Sequence, residues 1–398
     1  MGIRLADRAL RLKPSATIAA AQRARDLRAQ GIHVFDFTLG EPDFPTPRHI
    51  CEAAEAAIRA GRTHYTPSSG IPELRQAVSR RYTERGVGYA PNEVVISNGA
   101  KHALHNVLSV LCQDGDEVII PAPYWVSYSA LVELTGARPV IVPTDEAAGF
   151  KLRPEQLQAA LTPRTRVLML NSPCNPTGAV YSEDEIRALG EVLKGTDVLV
   201  LSDEIYEDLV YGRPPVPPVA SLSDDLRART VTVSGVSKSF AMTGWRIGWA
   251  AAPREITAAI EKLQSQQTSN PCSISQYAAL AAVTGSLECV EEMLGEFARR
   301  REYVAQRLAE LPGLSARQPD GAFYFFINVS QYFGRNSGGE PIRNSIDFAT
   351  ACLNGAHVAF VPGLAFGTDG YVRMSFAAAF KELENGLNAL AEWLKTIE

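Results

Sequence analysis

The chain has 398 residues, 46% apolar and 21% charged, with a formal net charge of −5. That length buries a large core without disulfides or metals, and the ordinary composition argues against disordered, fibrous and membrane classes. A mildly acidic chain without Lys/Arg runs does not attract nucleic acid or anionic membrane, so small molecules are the expected partners.

The N-terminal segment lacks a continuous apolar stretch, and no run of about 18 apolar residues occurs anywhere. Neither export nor a membrane span is expected, and the location is read as cytoplasmic. Cys51, Cys112, Cys174, Cys272, Cys289 and Cys352 are scattered without a CxxC pair, which predicts reduced thiols rather than disulfides or zinc. His102 and His105 share a predicted helix face, but no carboxylate or cysteine beside them completes a metal site, so none is expected.

An opening helix runs to the Pro-rich boundary "GEPDFPTP" (40–47). Seven short β-rich runs follow: "EVVIS" (93–97), "EVIIP" (117–121), "RPVIVP" (138–143), "RVLMLN" (166–171), "DVLVLSDE" (197–204), "TVTVSG" (230–235) and "RIGWAAA" (246–252). Segments with 3.6-residue apolar spacing separate most of them, such as "KHALHNVLSVLCQ" and "SEDEIRALGEVLK". The alternation predicts an α/β architecture with a mostly parallel sheet covered on both faces. After about residue 250 the pattern changes to long helices and then to "GAFYFFINV", "HVAFVPG" and "YVRMSFA", which read as a smaller α+β domain.

Ligands of open α/β sheets bind outside the carboxyl ends of strands, and three such ends carry polar motifs. "SNGAKHAL" (97–104) leads from a strand into a helix, so its free N–H groups suit a phosphate or simply form a tight turn. In "NSPCNPTG" (171–178) prolines hold Asn175 with its amide open to a ligand, or to an Asx turn. "SDEIY" (202–206) sets Asp203 and Tyr206 three residues apart; Asp203 suits either a protonated ring nitrogen or a helix N-cap.

"VSGVSKSFAMTGWRIGWA" (233–250) places Lys238 among small and apolar residues, with no further charge until Arg246. Such a lysine either snorkels to water or is desolvated into a nucleophilic amine able to form a Schiff base.

Taken in order, "KPSAT", "GEPDF", "HYTPSSGIPELRQA", "SNGAKHAL", "PAPYWVSY", "NSPCNPTGAVY", "SDEIYEDLVY", "SGVSKSFAMTGWRIG", "GAFYFF", "VPG" and "YVRMSF" resemble the class I/II pyridoxal-phosphate-dependent aminotransferases of fold type I. The likeness is closest to the prokaryotic aspartate aminotransferase branch. It implies a large domain with a seven-stranded, mostly parallel sheet over residues 48–285. The small domain then comprises an arm and segment, 1–47, with the remainder at 286–398.

The resemblance also implies roles. Lys238 forms the Schiff base with pyridoxal 5'-phosphate and then serves as acid and base in a ping-pong transfer. Asp203 pairs with the ring nitrogen, Tyr206 and Asn175 donate to the phenolic oxygen, and Trp125 stacks on the ring. Gly99, Ala100, Lys101, Ser237 and Arg246 hold the phosphate, joined by Tyr65 from the second subunit of a homodimer. Arg373 binds the substrate α-carboxylate with Gly40 and Asn175, while Trp125, Ser15 and Thr17 line the substrate site. Aspartate and 2-oxoglutarate are the expected donor and acceptor. Aromatic amino acids, alanine, prephenate or C–S β-elimination are the alternatives. Lys13, Lys101 or a partner-chain residue can supply a cation for a distal carboxylate. Where the family commonly has a hydroxyl three residues before the lysine, this chain has Gly235, and either Ser234 or Ser237 can reach the phosphate.

Overall fold

The computed structural model describes residues 3–12 and 16–398, the side chains of 8, 11 and 16–21 excepted. Each of the seven predicted runs forms a strand of one sheet: β1 Val94–Ser97, β2 Glu117–Ala122, β3 Arg138–Pro143, β4 Thr165–Asn171, β5 Leu199–Asp203, β6 Thr230–Gly235 and β7 Gly248–Ala251. Their order across the sheet is β1-β7-β6-β5-β4-β2-β3. Only β7 runs antiparallel to its neighbours, so the carboxyl ends of the other six open on one edge.

Both faces of this sheet are dry, which is why its strands read as apolar runs rather than alternations. Successive residues of β2 show it: Val118 and Ile120 pack with Leu104 and Val107 of the helix Ala100–Leu111, while Ile119 packs with Ile186 and Leu189 of the helix Glu183–Leu193. At one edge, β1 is covered by the helices Arg48–Arg59, Pro72–Glu84 and Ser273–Thr284 through Ile50, Leu74, Val78 and Ala278. The other edge, β3, is partly exposed and carries Pro139, which has no N–H to offer a further strand.

The C-terminal third builds a second sheet from β8 Ser315–Ala316, β9 Tyr324–Asn328, β10 Val361–Pro362 and β11 Tyr371–Ser375, ordered β10-β11-β9-β8 and antiparallel. Phe35–Asp36 pairs in parallel with Val358–Ala359, joining the N-terminal segment to this region. An aromatic core of Phe37, Phe297, Phe323, Phe325 and Phe376 runs on to Ile205 and Tyr206 beside the large sheet. Residues from both sheets therefore converge at the carboxyl ends of β4 and β5.

Candidate active site

Asn171 and Asp203 end adjacent strands as direct register partners. Asn171 ties the site together: its Nδ2 donates to the Asp203 carbonyl (2.9 Å) and its Oδ1 accepts from the Asn175 N–H (2.9 Å). The loop carrying Asn175 is thereby fixed over the end of β5. A cavity of about 290 Å³ opens here, bounded by Lys238, Asp203, Tyr206, Asn175, Arg246 and Arg373 among others.

Burial dominates the electrostatics. Lys238 Nζ donates to the Gly40 carbonyl at 2.6 Å, and desolvation brings its pKa from 10.5 down to about 8. Glu41 and Asp203 oppose that fall, while Arg246 and Arg373 add to it. An amine tuned this way is a nucleophile and a base near neutrality. Asp203, 4% exposed, is pushed the other way by burial, from 3.8 up to about 6, although the Tyr128 hydroxyl donates to its Oδ2 at 2.7 Å and the Ile205 N–H to its Oδ1. A carboxylate so poorly compensated favours a cationic partner.

Arg373 lies in β11 opposite Phe326 of β9 and is 1% exposed. Its Nη1 donates to Asn175 Oδ1 (2.9 Å) and its Nη2 to the Thr38 carbonyl (2.6 Å); Tyr324 and Phe366 rings flank the guanidinium. Those partners are neutral, and its buried Nε has none among the described residues. The site holds a desolvated cation that still needs an anion.

An anion cradle forms at the start of the helix Ala100–Leu111. Gly99 has φ +87°, and a Cβ there would lie 2.5 Å from Arg246 Nη2, so only glycine lets the guanidinium close on the backbone. Gly248 at the head of β7 is equally constrained, since a Cβ would strike the backbone of Gly99 and Ala100. Lys101 Nζ sits 4.7 Å from the Trp125 ring centre.

These groups match pyridoxal phosphate part by part. The cradle would hold the phosphate, Asp203 would suit a protonated ring nitrogen, Tyr206 and Asn175 could donate to a phenolic oxygen, Trp125 would cover the ring, and Lys238 would offer its amine to the aldehyde. The observation carrying the fit is the glycine-only contact between Gly99 and Arg246, which leaves bare backbone N–H groups beside a cation.

Of the residues picked from sequence, Gly40, Ala100, Lys101, Trp125, Asn175, Asp203, Tyr206, Ser237, Lys238, Arg246 and Arg373 line the cavity. Gly99 adjoins it through Arg246. Tyr65 does not line it and is 90% exposed. Ser15 and Lys13 lie outside the described residues, as does the side chain of Thr17.

The two serines separate cleanly: Ser237 lines the cavity, whereas Ser234 turns away to Glu207 Oε1 (3.2 Å). Gly235 is also explained, because a Cβ there would come within 2.8 Å of Gly248 Cα and the Ile247 carbonyl. Tyr128, Asn171, Thr243 and Tyr324 line the cavity but were not picked out by sequence. Tyr128 stood in view in "PAPYWVSY", six residues past the end of β2.

A family model for aminotransferase class I and II matches residues 32–390. The aspartate aminotransferase of Geobacillus stearothermophilus is 45% identical over 394 residues, 99% of either chain. The aspartate/prephenate aminotransferase of Cereibacter sphaeroides is 47% identical over 378 residues, 94% of either chain. Among solved structures, the aspartate aminotransferase from Rhizobium meliloti superposes with a TM-score of 0.97 at 41% identity, covering each chain completely. The family match spans most of the chain, and the chain belongs to the class I and II aminotransferases, enzymes that depend on pyridoxal phosphate.

Proposed function

We propose that this aminotransferase takes its amino group from aspartate and passes it to 2-oxoglutarate. The observation that supports an amino-acid substrate most directly is Arg373, a buried cation without an acidic partner that lines the same cavity as Lys238. A planar guanidinium receives an α-carboxylate in two parallel hydrogen bonds. Lys101, the other lysine of the lining, is then the cation for a distal carboxylate. The names of the relatives, aspartate and aspartate/prephenate aminotransferase, support aspartate as the donor, with prephenate as a second acceptor to test.

Pyridoxal phosphate, when bound, supplies the electron sink that stabilises negative charge at the α-carbon. The chain does the rest. Lys238 Nζ takes the α-proton and returns it, Asp203 keeps a negative charge beside the ring nitrogen, and Tyr206 and Asn175 donate to the phenolic oxygen. Arg246, Ser237 and the N-terminus of the helix Ala100–Leu111 hold the phosphate. Trp125 covers the ring, and the small domain, 1–47 with 286–398, closes on the large one, 48–285, to exclude water.

A homodimer belongs to the same reading: Tyr65, exposed on its own subunit, is free to reach the phosphate of a second copy. So does a cytoplasmic location, which suits six unpaired cysteines. Among the described residues no helix is long and apolar enough to cross a membrane.

The test is single-turnover absorbance of the loaded enzyme against a panel of amino acids. Conversion by aspartate and glutamate faster than by aromatic or neutral amino acids is expected. Preference for the latter refutes the dicarboxylate assignment, and pyruvate release without amino transfer refutes transamination in favour of β-elimination.

A further inference from the structure

One cavity hydroxyl has no part in the chemistry above. Tyr324 is completely buried on β9, its ring lies on the Arg373 guanidinium (4.4 Å), and its hydroxyl is 2.8 Å from that of Tyr206. The same hydroxyl lies 3.2 Å from where a Cβ on Gly40 would stand, so it is pinned between Gly40 and Tyr206. Among the described residues, Tyr206 is its hydrogen-bond partner.

A phenol has one proton to give. If Tyr206 spends its own on the cofactor's phenolic oxygen, the shared hydrogen bond must be donated by Tyr324. We infer that Tyr324 is a positioning residue that donates to Tyr206, orients its proton into the cavity and strengthens its donation to the cofactor. This rests on the assignment of Tyr206 proposed above. Hydrogen bonds in series polarise one another, so a donor behind Tyr206 makes its O–H a stronger donor in front. The Arg373 charge on the ring face offsets part of the upward push of burial on the Tyr324 hydroxyl. The row Arg373, Tyr324, Tyr206 thus links the group assigned to the substrate carboxylate with a group assigned to the cofactor.

The alternative is that Tyr324 only packs against Arg373. The test titrates the visible absorbance of the bound cofactor against pH in the unaltered holoenzyme, Tyr324→Phe, Tyr206→Phe and the double variant. Phenylalanine keeps the ring on Arg373 and removes only the hydroxyl, and the cofactor band itself reports that each variant folds. Donation to the phenolic oxygen favours the deprotonated form, so weakening it raises the midpoint. Tyr324→Phe is expected to raise it by about half a pH unit, the scale of one neutral hydrogen bond. In the Tyr206→Phe background the same change is expected to add nothing, because the effect passes through Tyr206.

An unchanged midpoint in Tyr324→Phe overturns the inference, as does an equal rise in both backgrounds. A rise in KM for the amino acid in Tyr324→Leu together with an unmoved midpoint in Tyr324→Phe identifies packing alone, and also overturns it. If Tyr206→Phe leaves the midpoint where it stands in the unaltered holoenzyme, the Tyr206 assignment itself fails and takes the inference with it.

Discussion

Replacing Asp203 by Asn is expected to stabilise the cofactor-free protein while weakening its hold on the cofactor. Burial raises the Asp203 pKa from 3.8 to about 6, so the folded chain binds this proton more tightly than the unfolded chain does. Stability from the protonated carboxyl is therefore fully present below about pH 4 and is lost as pH rises through about 6. A shift of roughly 2 pH units corresponds to ~3 kcal/mol of penalty above pH 7. Asn escapes that penalty, and its Oδ1 still accepts from the Tyr128 hydroxyl, 2.7 Å away in the parent. The Ile205 N–H loses a long bond of 3.3 Å, a cost of about 1 kcal/mol. A net gain of about 1–2 kcal/mol remains, or a rise in Tm of about 1–3 °C for a chain of this size. Thermal denaturation of the two cofactor-free proteins from about pH 4 to pH 8 should show the difference growing across about pH 4 to 6 and then levelling. With pyridoxal phosphate present the order should invert, because only the parent offers the ring nitrogen a carboxylate. A variant less stable than its parent above about pH 7, or a difference that does not change with pH, would falsify the account of Asp203 as a carboxylate kept at a cost for its ligand.

Other outcomes follow from the same geometry. Lys238 loses its proton near pH 8, so the rate at which the cofactor-free protein captures pyridoxal phosphate should rise up to about pH 8 and then flatten; a rate still climbing to about pH 10 would mean an ordinary lysine. Lys238→Ala should abolish both the visible band and turnover. Arg373→Ala removes the charged partner of a buried carboxylate, which typically costs 2–5 kcal/mol, so the amino-acid KM should rise by about 30-fold or more; an unchanged KM removes Arg373 from the site. Gly235→Thr, which restores a hydroxyl at that position, should destabilise the fold by about 1–3 kcal/mol because its Cβ meets Gly248 and Ile247, and unfolding in urea coincident with the parent would show that the strands yield.

The large sheet was legible because its strands, the edge strand β3 excepted, are buried on both faces, so apolar runs stood out against amphipathic helices. Polar motifs at strand ends were legible for a related reason. Asp203 and Asn175 follow apolar strands so abruptly that a role at the sheet edge was the natural reading. Sequence did not separate Ser234 from Ser237, since both flank a glycine, and only the course of the chain after β6 turns one toward Glu207 and the other into the cavity. Tyr324 was hidden for a different reason. In "GAFYFF" four aromatic residues run together, and alternation cannot say which face of a strand meets a ligand when both faces are apolar. Phe35–Asp36 and Val358–Ala359 are too short to carry a strand pattern at all and exist through their pairing.

That pairing bears on how the protein is made. Val358, the partner of Phe35, leaves the ribosome only after nearly the whole chain has been synthesised. At about 5–20 residues per second the wait is roughly 20 to 60 s, long enough for the central sheet to assemble first. Through that interval Phe35 and Phe37 have no C-terminal core to enter, so the N-terminal segment is the part of the nascent chain most in need of a chaperone.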